Sequence, residues 1–378
     1  MKKVVLIHGN PINPDSRLEK EAATLCKNGY QVSLLGWNRW DMVPAFEQKA
    51  GYTISRFQLH APTDVAVIFF WPIWWIYEFI WLMRHQWDIV HAADFDSYLP
   101  AVLAAKLKNK IVIYDIFDFL PDSAKLPSLI HNIFTKIDLY LLKFSNSIII
   151  VDKYRLKQIQ RENNPEGITI IYNTPEDVNI NQRSHSTSRH HDKFKIFYGG
   201  TIIPERDILS VLRIVSENKD MELIVAGWGN TKLVETVKLY DKQYENISYI
   251  GGVPYEEIIS HSLETDILFA LYDPNIPNNK YSSPNKLFEA MMCGKPIIVN
   301  DDVTMADIVR EEKCGIVVKY GDYESIKNAI LLLKLNENLR KELGDNGRAA
   351  YEKTYNWNIM EDRLLSLYES LVKTKEET

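Results

Sequence analysis

The sequence predicts an α/β fold made of two doubly wound parallel-sheet domains. Three observations predict it. Short apolar runs alternate with helical patterns from end to end, the signature of βαβ units whose sheet is covered on both faces. The alternation is broken once, by the polar, aperiodic stretch of residues 173–193, which reads as a linker or long surface loop. The chain has 378 residues, too many for one ordinary core and suited to two.

The elements follow in order. The first-half strands are "KVVLIH", "QVSLLGW", "DIVHAAD", "IVIYDIF", "SIIIVD" and "TIIYN". Asp15 suits the cap of the first helix, which Arg17 opens. The run Val65–Met83 is nineteen residues long with one charge, Glu78. Its length makes it a spanning candidate, but Pro72 and the need for a crossover helix make it a domain helix. On it, Phe70, Ile73, Ile76 and Ile80 form an aliphatic stripe suited to the core. Trp71, Trp74, Trp75 and Trp81 form a second stripe, expected to face a membrane or partner surface. The linker carries His190 and His191, expected to be solvated. The second half resumes with "KIFYGG", "MELIVAG", "ISYIGGV", "DILFALY", "KPIIVN" and "GIVVKY", and the chain ends in helices. The domains are placed at 1–175 and 176–356, with a final helix over about 357–374.

Composition excludes several classes. The chain is 46% hydrophobic and 25% charged, as soluble globular proteins are. A net charge of −6 argues against a general nucleic-acid binder. Residues 1–175 hold 19 Lys+Arg against 17 Asp+Glu, so the excess acid lies in the second half. Cys26, Cys293 and Cys314 show no disulfide or metal spacing and read as thiols of a reducing compartment. The five-residue apolar run of "MKKVVLIHGN" is too short for a signal peptide, so a cytoplasmic protein is expected.

In open α/β sheets ligands bind outside the carboxyl ends of the strands. In the second half those ends are Gly199-Gly200-Thr201, Gly227-Trp228-Gly229, Gly251-Gly252-Val253 and the loop from Asp273 to Ser283. In the first half they are His8-Gly9-Asn10, His91 to Asp96, Phe117-Asp118 and Asn173. No G-x-G-x-x-G opens a helix, which disfavours a dinucleotide oxidoreductase. The segment "SSPNKLFEAMMCGKPIIV" reads as a helix capped by Ser283, with Pro284 at its first position and Gly294 at its left-handed stop. Lys286 and Glu289 share its outer face. A lysine in a first turn opposes the macrodipole, and a bound anion would compensate it. The plain alternative is a surface ion pair.

Those residues resemble a known family. "YSSPNKLFEAMMCGKPIIV" is similar to the donor-site motif of retaining glycosyltransferases of family 4, which have the GT-B fold. "DIVHAADFDSYLPAVLAAKL" and "YDIFDFLPD" resemble its acceptor-side loops. "FYGGTIIPERDILSVLRIV" resembles its first donor-domain unit, "NISYIGGVPYEEI" its base-binding loop and "YNWNIMEDRLLSLYESLV" its final helix. The resemblance implies two Rossmann-like domains facing across a cleft, the final helix returning to the first domain. It implies a nucleotide-sugar donor, such as a UDP- or GDP-sugar, and no metal or other cofactor. Arg206 and Lys286 would hold the diphosphate and act in catalysis, and Glu289 would bind the ribose. Gly200, Thr201, Val253, Ser283 and Asn285 would complete the donor site. His91, Asp94 and Asp118 would bind the acceptor, Asp118 acting in catalysis too. Thr201 stands where many members have arginine, and Tyr281 where many have glutamate. Asp94 and Asp96 also allow a metal-binding or a helix-capping reading.

The expectation is therefore a glycosyltransferase making a cell-surface polysaccharide or glycolipid on a lipid-linked acceptor, at the inner membrane face. The alternatives are a soluble transferase with a small acceptor, a sugar-nucleotide epimerase, and an inactive interaction protein of the same fold.

Overall fold

The computed structural model describes residues 1–40, 43–62, 65–123, 128–161, 166–178 and 193–377. Most of the polar stretch, including His190 and His191, lies outside them. The chain forms two compact units, one of Met1–Tyr172 with Met360–Thr378, the other of Asn173–Ile359.

The first unit is built on an eight-stranded sheet. Its strands are β1 (Lys3–His8), β2 (Gln31–Asn38), β3 (Phe46–Gln48), β4 (Tyr52–Gln58), β5 (Ile89–Ala93), β6 (Ile111–Ile116), β7 (Ser147–Ile150) and β8 (Ile168–Ile170). The order is β3-β4-β2-β1-β5-β6-β7-β8, parallel throughout except for β3 on β4. Strands β3 and β4 were not expected from the sequence. An arginine in the middle of β4 hides its alternation. Arg56 is buried, donates to the carbonyls of Pro11 (2.6 Å), Ile12 (3.0 Å) and Pro44 (3.0 Å), and pairs with Glu47. It therefore secures the loop that follows β1.

Side-chain alternation assigns the two faces of this sheet. Val5, Ile7, Val90, Ala92, Val112, Tyr114 and Ile116 join one core cluster. His91 and Asp115 point to the opposite face. There they meet helix α1 (Ser16–Lys27), which Asp15 caps through the Leu18 N–H.

Helix α2 (Trp71–Arg84) packs on the first face with its expected faces exchanged. Trp71 and Trp74 are buried, Trp74 stacking on Trp37 at 5.7 Å and 13°. Trp75 is half-buried and donates its indole N–H to Asp96 O (2.8 Å), and half-buried Trp81 stacks on His85. Ile73, Ile76 and Ile80, expected in the core, are exposed. The indole rings supply the volume that fills the space above the sheet, and they carry the buried carboxyl of Glu78 in with them. Glu78 and Trp74 Nε1 have no hydrogen-bond partner among the described residues.

Two more helices, α3 (Phe95–Lys108) and α4 (Ser128–Leu141), cover the same face. Phe134 of α4 meets Trp71 edge-on at 6.1 Å and Phe95 at 5.8 Å.

The second unit has a six-stranded, wholly parallel sheet. Its strands are β9 (Phe194–Gly199), β10 (Met221–Ala226), β11 (Ile247–Gly251), β12 (Ile267–Ala270), β13 (Ile297–Asn300) and β14 (Gly315–Val318). The order β11-β10-β9-β12-β13-β14 is the doubly wound arrangement that reverses direction beside its first strand. Asn173 to Pro175 belong to this unit, where Tyr351 Oη donates to Pro175 O (3.0 Å).

Burial, with Asp96 nearby, raises the Glu78 pKa well above the ordinary glutamate value. A raised acid contributes most stability below its unfolded pKa of about 4.5 and loses it as pH climbs toward the folded value. Glu78→Gln should flatten the decline in thermal midpoint between weakly acid and neutral pH. It should also stabilise the protein at neutral pH by about 1–3 kcal/mol. Melting curves of both forms across that range check this, and parallel slopes would refute it.

Candidate functional site

The donor-side candidates converge at the reversal point of the second sheet, between β9 and β12. Helix α5 (Asn285–Met292) starts one residue later than expected. Pro284 is the cap residue, extended at ψ 141, and Ser283 makes no cap bond. With Pro284 extended, Ser283 lies outside the helix, and Ser283 Oγ and Asn285 Oδ1 are buried without a partner among the described residues. Gly294 closes the helix in the left-handed conformation (φ 63°).

Lys286 lies in the first turn of α5, with its ammonium 4.8 Å from the centre of the Tyr198 ring. The Arg206 guanidinium lies 3.5 Å from the centre of the Tyr272 ring and donates to Asn279 Oδ1 (3.0 Å). Tyr198 comes from β9 and Tyr272 from just beyond β12, so the two rings flank the reversal point. Among the described residues, no carboxylate lies within salt-bridge distance of either cation. Burial works against the charge on Lys286. Tyr198, Tyr272 and Glu289 offset it, so its pKa stands above the ordinary lysine value. Glu289 is buried and accepts a hydrogen bond from the Tyr255 phenol. The Lys286–Glu289 surface ion pair, the plain alternative, does not form.

Backbone close to these cations needs glycine. Gly200 has φ 144°, and a Cβ there would collide with Lys286 Nζ. A Cβ on Gly227 would strike the carbonyl of Gly200. Thr201 is exposed on the same loop, and Val253 is half-buried after β11. Trp228, 72% exposed, stands beside Gly252. Sequence reasoning gave no role to Tyr198, Tyr272 or Tyr255 and noted Trp228 only as part of a strand end. The available signal was that Tyr198 and Tyr272 lie at or near a strand end, while Tyr255 opens the helix that follows β11.

The acceptor-side candidates divide. Asp94 and Asp118 gather at the reversal point of the first sheet, beside the end of β1. Asp94 Oδ1 accepts from the N–H groups of Phe117 (2.9 Å) and Asp118 (3.0 Å), which fixes that loop. Its other oxygen faces His8 Nε2 at 3.6 Å. The Asp118 side chain is 55% exposed and 3.2 Å from Arg155. His8 was noted only as a strand end, and it is the centre of this cluster. Its Nδ1 lies 2.7 Å from Asp15 Oδ2. Burial opposes its charge, and Asp15 and Asp94 outweigh that, raising its pKa well above the ordinary value. Asp15 falls to about 2 despite burial, held by His8 and Asn10. Asp96, facing Gly9, rises to about 6 through burial.

His91 corrects the expectation. It is fully buried in the middle of β5, not at its end. Nδ1 lies 2.9 Å from Tyr368 Oη and Nε2 lies 3.2 Å from Asp115, so both ring nitrogens are engaged. Tyr368 belongs to the final helix α6 (Trp357–Glu377), which His91 thereby fastens to the first unit. Glu21, His91 and Asp115 could together ligate a metal by spacing. Arg17 already donates to both oxygens of Asp115 at 3.0 Å and lies 3.2 Å from Glu21, so the cluster carries its own cation.

Residues 180–350 match the family model Glycosyl transferases group 1. The chain is a glycosyltransferase. It is 24% identical over 351 residues to an uncharacterized glycosyltransferase, MJ1069, of Methanocaldococcus jannaschii, covering 87% of this chain and 83% of that one. It is 26% identical to the capsular polysaccharide biosynthesis glycosyltransferase CapM of Staphylococcus aureus over 49% of this chain and 48% of that one. In fold it is similar to sucrose-phosphate synthase from Thermosynechococcus elongatus, with TM-score 0.79, 14% identity and coverage of 99% and 100%. Anabaena HepE in complex with UDP-glucose follows, with TM-score 0.67, 12% identity and full coverage of both chains. Both units thus have the Rossmann-like architecture of GT-B glycosyltransferases.

The two acidic groups of the first unit should respond differently to neutralisation. Asp115→Asn would leave Arg17 buried with too little countercharge and should cost about 3–5 kcal/mol of stability. Asp118→Asn, at an exposed carboxylate whose buried partner Arg155 keeps its donations to Gln158 Oε1 and Phe117 O, should cost under about 1 kcal/mol. Denaturant titration of both variants checks this; equal costs would contradict the division between a structural and an accessible cluster.

Proposed function

We propose that this glycosyltransferase is a retaining enzyme of the family 4 type. It transfers a sugar from a nucleoside-diphosphate donor to a lipid-linked acceptor in polysaccharide or glycolipid synthesis on the cytoplasmic side of a membrane. One observation carries the reading. Two cations without a carboxylate partner, Arg206 and Lys286, meet at the first turn of a helix, with Glu289 one turn below. This suits one ligand with a diphosphate and a ribose. The relatives support the pathway class: CapM is named for capsular polysaccharide biosynthesis, and HepE was solved with UDP-glucose.

Each residue has a task in that reading. As the sugar leaves, negative charge grows on the diphosphate, and Arg206, Lys286 and the N–H groups of α5 stabilise it. They are held in place beforehand by Tyr198, Tyr272 and Asn279, so little reorganisation is needed. Gly200 and Thr201 let the ligand approach the backbone. Ser283 Oγ and Asn285 Oδ1 are unspent polar atoms beside the phosphates, and Val253 lies on the base-side loop. Glu289, oriented by Tyr255, accepts from the ribose hydroxyls. In the first unit Asp94, Asp118 and His8 bind acceptor hydroxyls, with Asp118 the accessible carboxylate.

Substitution of Lys286 and of Glu289 should fail in different ways. Lys286→Met removes charge that matters most as the leaving group departs, so kcat and kcat/KM should fall together, by about 2–4 kcal/mol. Glu289→Gln should mainly weaken nucleotide binding, by about 1–3 kcal/mol. Steady-state kinetics, with calorimetry of UDP and GDP binding, separates the two. Wild-type behaviour in both variants would refute the donor site.

The cations also make a divalent ion dispensable in this reading. Turnover should persist in excess chelator. Loss of activity with chelator and recovery with Mn²⁺ would point instead to Asp94 and Asp96.

A further inference from the structure

The outer faces of α2, α3 and α4 are apolar where a solvated domain would be polar. On α2, Ile73, Ile76 and Ile80 lie at i, i+3 and i+7 and are exposed, Ile76 by 62%. Phe69 and Met83 extend the stripe at its two ends. Leu103 and Leu107, the latter 69% exposed, project from α3. Ile133, Ile137 and Tyr140 are exposed along α4. The three helices are neighbours. Phe134 joins α4 to α2 and α3, and Tyr98 Oη of α3 donates to Leu141 O at 3.2 Å. Their inner faces are already committed to the core, so the outer residues are surplus to folding.

The charges on this face have one sign. The three helices contain three carboxylates, Glu78, Asp96 and Asp138. Glu78 and Asp138 are buried, and Asp96 turns back toward Gly9. The exposed charges are Arg84, Lys106 and Lys136, with Lys143 just beyond α4. Exposed apolar residues on three neighbouring helices call for a cover. Aliphatic stripes flanked by exposed lysine and arginine fit the boundary of an anionic bilayer. A second copy of the chain fits less well, because face-to-face pairing would oppose cation to cation. The segment Ala66–Arg84 is long and apolar enough to span a membrane by length and composition. Its Trp71, Trp74 and Glu78 side is committed to the core, so it would lie in the membrane boundary rather than across it.

We propose that the α2–α3–α4 face of the first unit docks on an anionic lipid surface through Ile76, Leu107 and Ile137, with Lys106 and Lys136 contacting lipid headgroups. The proposal stands apart from the donor-site reading, since binding needs no donor or acceptor.

Co-sedimentation of the full chain with vesicles of mixed phosphatidylglycerol and phosphatidylcholine tests it. The parent protein should sediment, and less so on pure phosphatidylcholine or in high salt, where headgroup attraction is absent or screened. The double variant Ile76→Ser, Ile137→Ser should lose about tenfold or more in partition, the scale of withdrawing apolar side chains from the boundary. Leu239→Ser, in an exposed apolar position of the second unit, should change nothing. Should circular dichroism show the isoleucine variant misfolded, Lys106→Glu with Lys136→Glu carries the test, with the same loss expected on anionic vesicles. A parent that stays in the supernatant, or parent-like sedimentation of a folded double variant, overturns the proposal. A dimer abolished by the isoleucine substitutions, in a parent that does not bind vesicles, assigns the face to a second copy and overturns it equally.

Discussion

A parallel sheet is connected by crossovers that must lie on one face or the other, so both faces end up covered. When the chain begins at an inner strand and winds first one way and then the other, successive crossovers diverge at a single place. There the strand ends stay open. This constraint operates twice here, between β1 and β5 and between β9 and β12. The accessible chemistry of the chain gathers at those two places. His8 and Asp94 stand at the first. Tyr198 and Tyr272, carrying Lys286 and Arg206, stand at the second. Residues that approach the same chemistry elsewhere, such as His91 in mid-strand, are enclosed by the layers.

The two charge clusters differ in how their cations are met. Arg17 is buried, but Asp115 and Glu21 face it and the Ile171 carbonyl takes another of its donors. Its charge is spent inside the fold. Arg206 is near enough to Lys286 to oppose its charge. They are met by aromatic faces and an amide oxygen, which hold a cation in place without neutralising it. The uncompensated charge is what an incoming diphosphate would answer. The buried, unpaired oxygens of Ser283 and Asn285 beside it are a smaller sign of the same incompleteness.

Much of this was legible in the sequence. All six strands of the second sheet and the Gly294 stop could be read from apolar runs and glycine; spacing put Lys286 and Glu289 on one helix side, and only the family resemblance gave them a role. The cap was misread by one residue, because the proline geometry at 284 outweighed the intrinsic preference of Ser283. Strand β4 was missed because Arg56 in its centre imitates a solvent-facing position while its donors are used by backbone carbonyls. His91 was misplaced because strands buried on both faces carry no alternation to show where a polar residue points. The ring partners of the cations were out of reach, since an aromatic residue near a strand end is ordinarily core.

Helix α2 failed for a more instructive reason. Both of its faces are apolar, so periodicity finds the faces and cannot say which is inside. Shape decided it. The Trp74 indole stacks on Trp37, and Phe57 on Tyr77 at 4.2 Å, filling a space that branched aliphatics would leave open. The one carboxyl on the helix followed the indoles inward, at a desolvation cost that a surface position would have avoided. A helix in water ordinarily turns its acid outward and its isoleucines inward. Here the order is inverted, with Glu78 enclosed and Ile73, Ile76 and Ile80 on the outside. Such an inversion costs least where the outer medium is itself apolar, and the adjoining faces of α3 and α4 are apolar in the same direction.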